Sequence, residues 1–169
     1  MNPTTLPGGG VLRPARPGDE TGILQRIRDL ASYEQEPDAV RTTAPALAES
    51  LFGPDPRVFA HVIDRDGGIA GIAVWFVTFS TWTGRHGIWL EDLFVREEDR
   101  RHGYGRALIA SLAAVCVARG YARLEWTVLD RNEPALRFYR SLEAEPMAEW
   151  TTHRMTGNAL TSLAERVTS

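Results

Sequence analysis

The sequence predicts a mixed α/β fold on a sheet that is mostly antiparallel. Three observations carry that expectation. The predicted elements run β-α-α-β-β-β-α-β-α-β, so strand and helix periodicities are interleaved along the chain. Two strand runs, Val58 to Ile63 and Ile69 to Phe79, are joined by Asp66-Gly67-Gly68, a tight turn that makes neighbours antiparallel. Parallel pairing is expected only around one helix, from about Gly105 to Arg119, because a parallel connection needs a long crossover.

Taken in order, Met1 to Gly10 holds two prolines and a triple glycine and reads as a disordered tail. Val11 to Pro14 is a short strand. Asp19 is placed to cap a helix whose apolar stripe is Ile23, Leu24, Ile27, Leu30 and Ala31. A second helix starts at Thr43, tolerates Pro45 in its first turn and stops at Gly53. After the hairpin, a Trp82-Thr83-Gly84 loop leads into a strand from Ile88 to Val95. The following helix carries Leu108, Ile109, Leu112, Val115 and Cys116 on one face, so Cys116 reads as core filling rather than a nucleophile. Leu124 to Val128 is a strand, Pro134 to Ser141 a short helix and Trp150 to Thr156 a last strand. No linker or repeat interrupts residues 11–169, which read as one domain.

Composition excludes several classes of function. With 169 residues, 43% of them apolar, the chain can bury a core without staples. Its one cysteine rules out an intramolecular disulfide and a cysteine-rich zinc site. His61, His86, His102 and His153 share no ligand spacing, so no metal is expected. The apolar stretch Ile69 to Phe79 is too short to span a membrane and no secretory leader opens the chain, which gives the cytoplasm as the expected address. A net charge of −3 argues against non-specific nucleic-acid binding. All 19 basic residues are arginine, so there is no side-chain primary amine.

The most informative segment runs from Val95 to Arg106, from an apolar strand directly into a helix. Gly103 and Gly105 allow close backbone approach, and a helix start offers N–H groups and a positive dipole end. Arg100, Arg101 and Arg106 add positive charge with no acid among residues 100–106. The pattern fits a phosphate-bearing ligand, and equally an ordinary strand-to-helix turn. The third glycine of a dinucleotide fingerprint and the Gly-Lys-Ser/Thr of a triphosphate loop are both missing.

Arg100-x-x-Gly103-x-Gly105 resembles the acyl-CoA loop of the GNAT superfamily of N-acetyltransferases, and Asn132-Glu-Pro-Ala-Leu-Arg-Phe138-Tyr139 resembles its second signature. Tyr33-Glu34, Ser50-Leu-Phe-Gly53, Trp82-Thr-Gly84 and Leu90-Glu-Asp-Leu-Phe-Val95 are similar to the spermidine/spermine and thialysine acetyltransferase branch. The resemblance implies a GNAT fold, its sheet splayed where acetyl-CoA enters, and a homodimer. It implies a co-substrate site made by Leu93, Phe94, Val95, Arg100, Arg101, His102, Gly103, Tyr104, Gly105, Arg106 and Asn132, with Tyr33, Glu34, Trp82 and Asp92 toward the acceptor. Glu143 stands where the family commonly has a glycine, which predicts a left-handed backbone and a local stability penalty.

A small alkyl amine, with a pKa of about 10.4, must lose a proton before it attacks a thioester, and the departing thiolate must gain one. Glu91, working through a water, is the candidate base. Asp92 adjoins it, but strand alternation sends the two to opposite faces and so to different roles. Tyr139 is the candidate acid, or else an aromatic packed beside Phe138. Asn132 is read as a partner of the pantetheine arm or a plain helix cap, and the Val95 N–H as the group polarising the thioester carbonyl. The expected activity is direct acetyl transfer to a diamine, polyamine or thialysine-like amino acid. The rivals are a protein N-terminal or ribosomal-protein acetyltransferase and a silent acyl-CoA-binding module.

Overall fold

The structure, a computed structural model, describes residues 1–167 and divides into two units, Met1–Thr127 and Val128–Ser169. The first unit holds a six-stranded sheet in the order β1 (Thr4–Thr5), β2 (Val11–Pro14), β3 (Phe59–Arg65), β4 (Gly68–Ser80), β5 (Arg85–Val95) and β6 (Leu124–Glu125). Every pairing is antiparallel except β5 with β6. The crossover between that pair is α3 (Tyr104–Arg119), as the long connection required.

Each face of the sheet takes helices for a reason visible in the side chains. Ile23 and Leu24 of α1 (Glu20–Tyr33) and Leu47 and Leu51 of α2 (Ala44–Phe52) form one cluster with Ala60, Val62, Ile72, Val74 and Phe94. The opposite face takes α3, whose Leu108, Ile109, Leu112 and Cys116 are buried. There His61 Nδ1 lies 2.7 Å from Ser111 Oγ, and Ser111 in turn donates to the Leu108 carbonyl; burial pushes the imidazole pKa down to about 4, which favours the neutral ring.

Local chemistry sets most boundaries. Thr43 Oγ1 accepts from Ala46 N at the start of α2, with Pro45 in the first turn and Gly53 closing the helix. Asp66 and Gly67, at φ 53 and 76, make the β3–β4 turn. Asp19 precedes α1 without capping it: Arg13 takes its carboxylate at 2.6 Å, and Arg16 N donates to the same group.

Other expected features differ as well, and the strand expected over Leu124 to Val128 is paired only at Leu124–Glu125. In place of a disordered tail, Thr4 and Thr5 pair with Leu12 and Val11. The strand expected at Trp150 to Thr156 has no partner strand among the described residues and is not one. Its threonines favour extended backbone, but a strand without a ladder has nothing to hold it. Residues beyond it instead form α5 (Gly157–Glu165). The second unit otherwise contains α4 (Glu133–Arg140), with Asn132 Oδ1 accepting from Ala135 N at its start. Glu143 follows α4 at φ 61, the left-handed conformation expected there.

Candidate active site

The β4–β5 ladder breaks register at one point: Val74 pairs with Asp92 while Trp75 pairs with Leu90, leaving Glu91 as the extra residue of a β-bulge. The bulge overturns the alternation expected from sequence. Asp92, opposite Val74, lies on the face covered by α1 and α2. Trp89 Nε1 donates to Glu91 Oε2 at 2.9 Å, and Trp89 pairs with Phe76, two residues along β4 from Val74. Glu91 and Asp92 therefore share a face.

Glu34, the residue that ends α1, completes an acidic corner. Burial, together with the negative charges of Glu91 and Glu34, pushes the Asp92 carboxyl up to about 6. A carboxylate tuned toward neutrality beside two others is a group able to take and release a proton near pH 6. Tyr33 lies under the Arg100 guanidinium, 5.4 Å from its ring centre, and Phe94 is 5.8 Å from the same cation.

From Leu90 onward no strand pairs with the outer edge of β5 among the described residues, since β6 meets it only at Ile88 and Trp89. Arg96 N donates to Ala70 O, so the next pair, Gly71 with Val95, is the one whose N–H and C=O groups face away from β4. The Val95 carbonyl accepts from Arg100 Nε at 3.2 Å on that side. The Val95 N–H faces the same open edge, and Leu93, opposite Ala73, is half-buried on the α3 face.

The turn into α3 has Arg101 at φ 68 and Gly103 at φ 78. A Cβ built on Gly103 meets nothing within 4 Å, and no side chain caps the helix start. The first amides of α3 thus start beside open space at Gly103, and Arg101 and Arg106, both exposed, adjoin that turn in sequence, a charge that suits a pyrophosphate. A set of residues absent from the sequence reading holds this turn. Asp99, only 2% exposed, takes Arg65 Nη1 at 2.7 Å and Arg96 Nε at 2.6 Å. Arg65 comes from the far end of β3, so no local motif could have revealed it.

Other expected residues lie elsewhere. Trp82, 86% exposed, sits on the β4–β5 hairpin tip. Asp92 is seven residues along β5 from Arg85, so the tip is roughly 20 Å from the acidic corner. Tyr104 is buried, which leaves its backbone rather than its phenol to face a ligand. In the second unit, Asn132 caps α4 and Tyr139 is half-buried with its ring 5.3 Å from Phe138. Cys116 is buried in α3, its thiol donating toward the Arg123 carbonyl at 3.6 Å, and burial raises its pKa. Among the described residues no group of His, Cys, Asp and Glu could hold a metal ion, and no helix is long and apolar enough to cross a membrane.

The sequence profile of the Acetyltransferase (GNAT) family matches residues 23–143. A thialysine N-epsilon-acetyltransferase from Bos taurus is 34% identical over 165 residues, covering 91% of this chain and 96% of that protein. An L-ornithine N5-acetyltransferase from Arabidopsis thaliana is 34% identical over 110 residues, 65% of this chain and 48% of that one. Among solved structures, an integron cassette protein from V. cholerae superposes with a TM-score of 0.74 at 24% identity, over 91% of this chain and 96% of its own.

Proposed function

The chain belongs to the GNAT acetyltransferase family, whose co-substrate is acetyl-CoA, and from that premise we propose that its acceptor is a small cationic amine of the diamine or basic amino-acid type. The observation that carries this reading is the acidic corner of Glu34, Glu91 and Asp92. A second positive charge on the acceptor is matched there by carboxylates, and the names of the thialysine and ornithine acetyltransferase relatives agree with such a substrate.

Acetyl-CoA supplies the acetyl thioester. The uncapped start of α3, with Arg101 and Arg106, is the proposed seat of its phosphates, and Leu93, Phe94 and the outward N–H of Val95 line the open edge that would receive the rest. That N–H is the proposed donor to the carbonyl oxygen as negative charge develops on it. The pair Glu91 and Asp92 accepts the amine proton, Glu91 through a water. Tyr139, in the second signature, donates to the departing sulfur, and its phenol at a pKa of about 10 against about 8.5 for a thiol makes that transfer uphill by only ~2 kcal/mol. The sole thiol, Cys116, is packed in α3, which supports direct transfer in a ternary complex over an acyl-enzyme. The proposed protein works in the cytoplasm as a homodimer.

Initial-rate kinetics with acetyl-CoA and a short diamine test this scheme. Intersecting double-reciprocal lines are expected, whereas parallel lines would place an acyl-enzyme on the path. Release of no thiol with any amine or peptide would leave the protein an acyl-CoA-binding module. Tyr139→Phe keeps the ring in place and is expected to lower kcat by roughly 10²-fold with little change in acetyl-CoA affinity.

A further inference from the structure

The first ten residues close over the turn that enters α3. The β1 strand leads into a turn held by Leu6 N donating to Gly10 O at 2.8 Å and Gly9 N donating to Leu6 O at 3.1 Å. Gly10 N then donates to the Tyr104 phenol oxygen at 2.9 Å, a buried bond between residues 94 apart in sequence. Tyr104 is 1% exposed and its ring stacks on His102, centres 5.5 Å apart. His102 Nδ1–H donates to the Asp99 carbonyl at 3.2 Å. The fit is too close for side chains: a Cβ on Gly8 would fall 2.4 Å from His102 Cδ2, and one on Gly10 would fall 2.7 Å from the Tyr104 hydroxyl.

We propose that the amino-terminal Gly8-Gly9-Gly10 turn is a positioning strap, fixing His102 and Tyr104 and thereby the Gly103 amides between them for the co-substrate phosphates. The inference rests on the acetyl-CoA reading of that turn. Its physical content is preorganisation. Gly103 has no side chain and a left-handed φ, so the residues on either side must be held if its amides are to keep one direction. Asp99, through its ion pairs, anchors the approach to the turn. The strap anchors its exit, from the only part of the sequence with three consecutive glycines.

The strap carries its own control. Gly8 and Gly9 have nearly the same left-handed backbone, at φ 84 and 83, so an alanine is strained alike at both. A methyl at Gly9 meets nothing within 4 Å, whereas one at Gly8 displaces His102. Gly8→Ala is expected to raise the KM for acetyl-CoA at least five-fold, with kcat and the amine KM within two-fold of wild type. Gly9→Ala is expected to lower the melting temperature similarly while leaving the acetyl-CoA KM within two-fold. Tyr104→Phe, which removes the acceptor of the Gly10 amide but keeps the ring, is expected to raise the acetyl-CoA KM two- to five-fold, and it serves if Gly8→Ala fails to fold. Equal acetyl-CoA KM values for Gly8→Ala and Gly9→Ala, or an unchanged value in Tyr104→Phe, overturn the strap. A wild-type protein that binds no acetyl-CoA by calorimetry overturns the functional reading beneath it instead.

Discussion

At the acidic corner α1 ends on Glu34 with no basic side chain in its last turn; at the glycine turn α3 begins on Gly103 with no acidic side chain in its first. A helix is ordinarily steadied by a cation at its carboxyl end and an anion at its amino end. Neither helix supplies its own, and apart from Arg100 over the Tyr33 ring the neighbouring side chains add to the imbalance. Glu91 and Asp92 add to the negative end of the α1 dipole, and Arg101 and Arg106 add to the positive end of α3. Glu91 and Asp92 stand near the end of β5, and residues 96–102 lead from that strand to Gly103. On the proposed function, the contrast means that each end is shaped for a ligand of the opposite sign: a cationic acceptor at the first, an anionic co-substrate at the second. Stability is given up at both.

That trade can be broken from the acidic side with the largest effect. Asp92→Asn removes the carboxylate tuned to about 6 and is expected to lower kcat/KM by roughly 10²–10³-fold. The same change is expected to stabilise the fold at pH 7 by on the order of 1–2 kcal/mol, seen as a higher urea midpoint. The sign follows from the shift. Folded Asp92 keeps its proton between about pH 4 and 6, where the unfolded chain has released it, so its contribution to stability falls as pH rises through that window. In wild type, kcat/KM is expected to rise through about pH 6. Glu91→Gln removes one of the like charges that raise Asp92 and should move that limb to lower pH.

On the cationic side, Gly103→Asp places a negative group where a Cβ meets open space and is expected to weaken acetyl-CoA binding by about 100-fold. Gly103→Ala carries the same left-handed strain, on the order of 1–2 kcal/mol, without the charge. Calorimetry on the two separates electrostatics from backbone. Equal losses would mean that the turn is structural and the contrast in sign incidental.

Much of this contrast was legible in the sequence, and the illegible parts share a cause. Gly103, Gly105 and the arginines stand together in the chain, as do Glu91 and Asp92, so local reading found both regions. The bulge at Glu91 was hidden because strict alternation is the default and nothing in Leu90-Glu-Asp-Leu93 marks an extra residue. Asp99 and Arg65 meet only through tertiary structure, and so do Gly10 and Tyr104. A triple glycine reads as disorder until its lack of side chains is seen to be what lets it lie against His102. The reverse error came at Trp150 to Thr156, where propensity suggested a strand but no ladder is made. Glu143 was legible because a left-handed position announces itself by the glycine usually found there, and its φ of 61 agrees.

The most direct test of the account compares kcat/KM for a diamine and for a neutral-tailed monoamine of equal length, in wild type and Glu34→Gln, at fixed acetyl-CoA. The acidic corner predicts that wild type prefers the diamine by about ten-fold or more, an electrostatic gain of roughly 1.4 kcal/mol. Glu34→Gln should raise the diamine KM several-fold and leave the monoamine nearly unaffected. Equal rates for the two amines in wild type, or a clear preference for a peptide amino terminus over both, would contradict it.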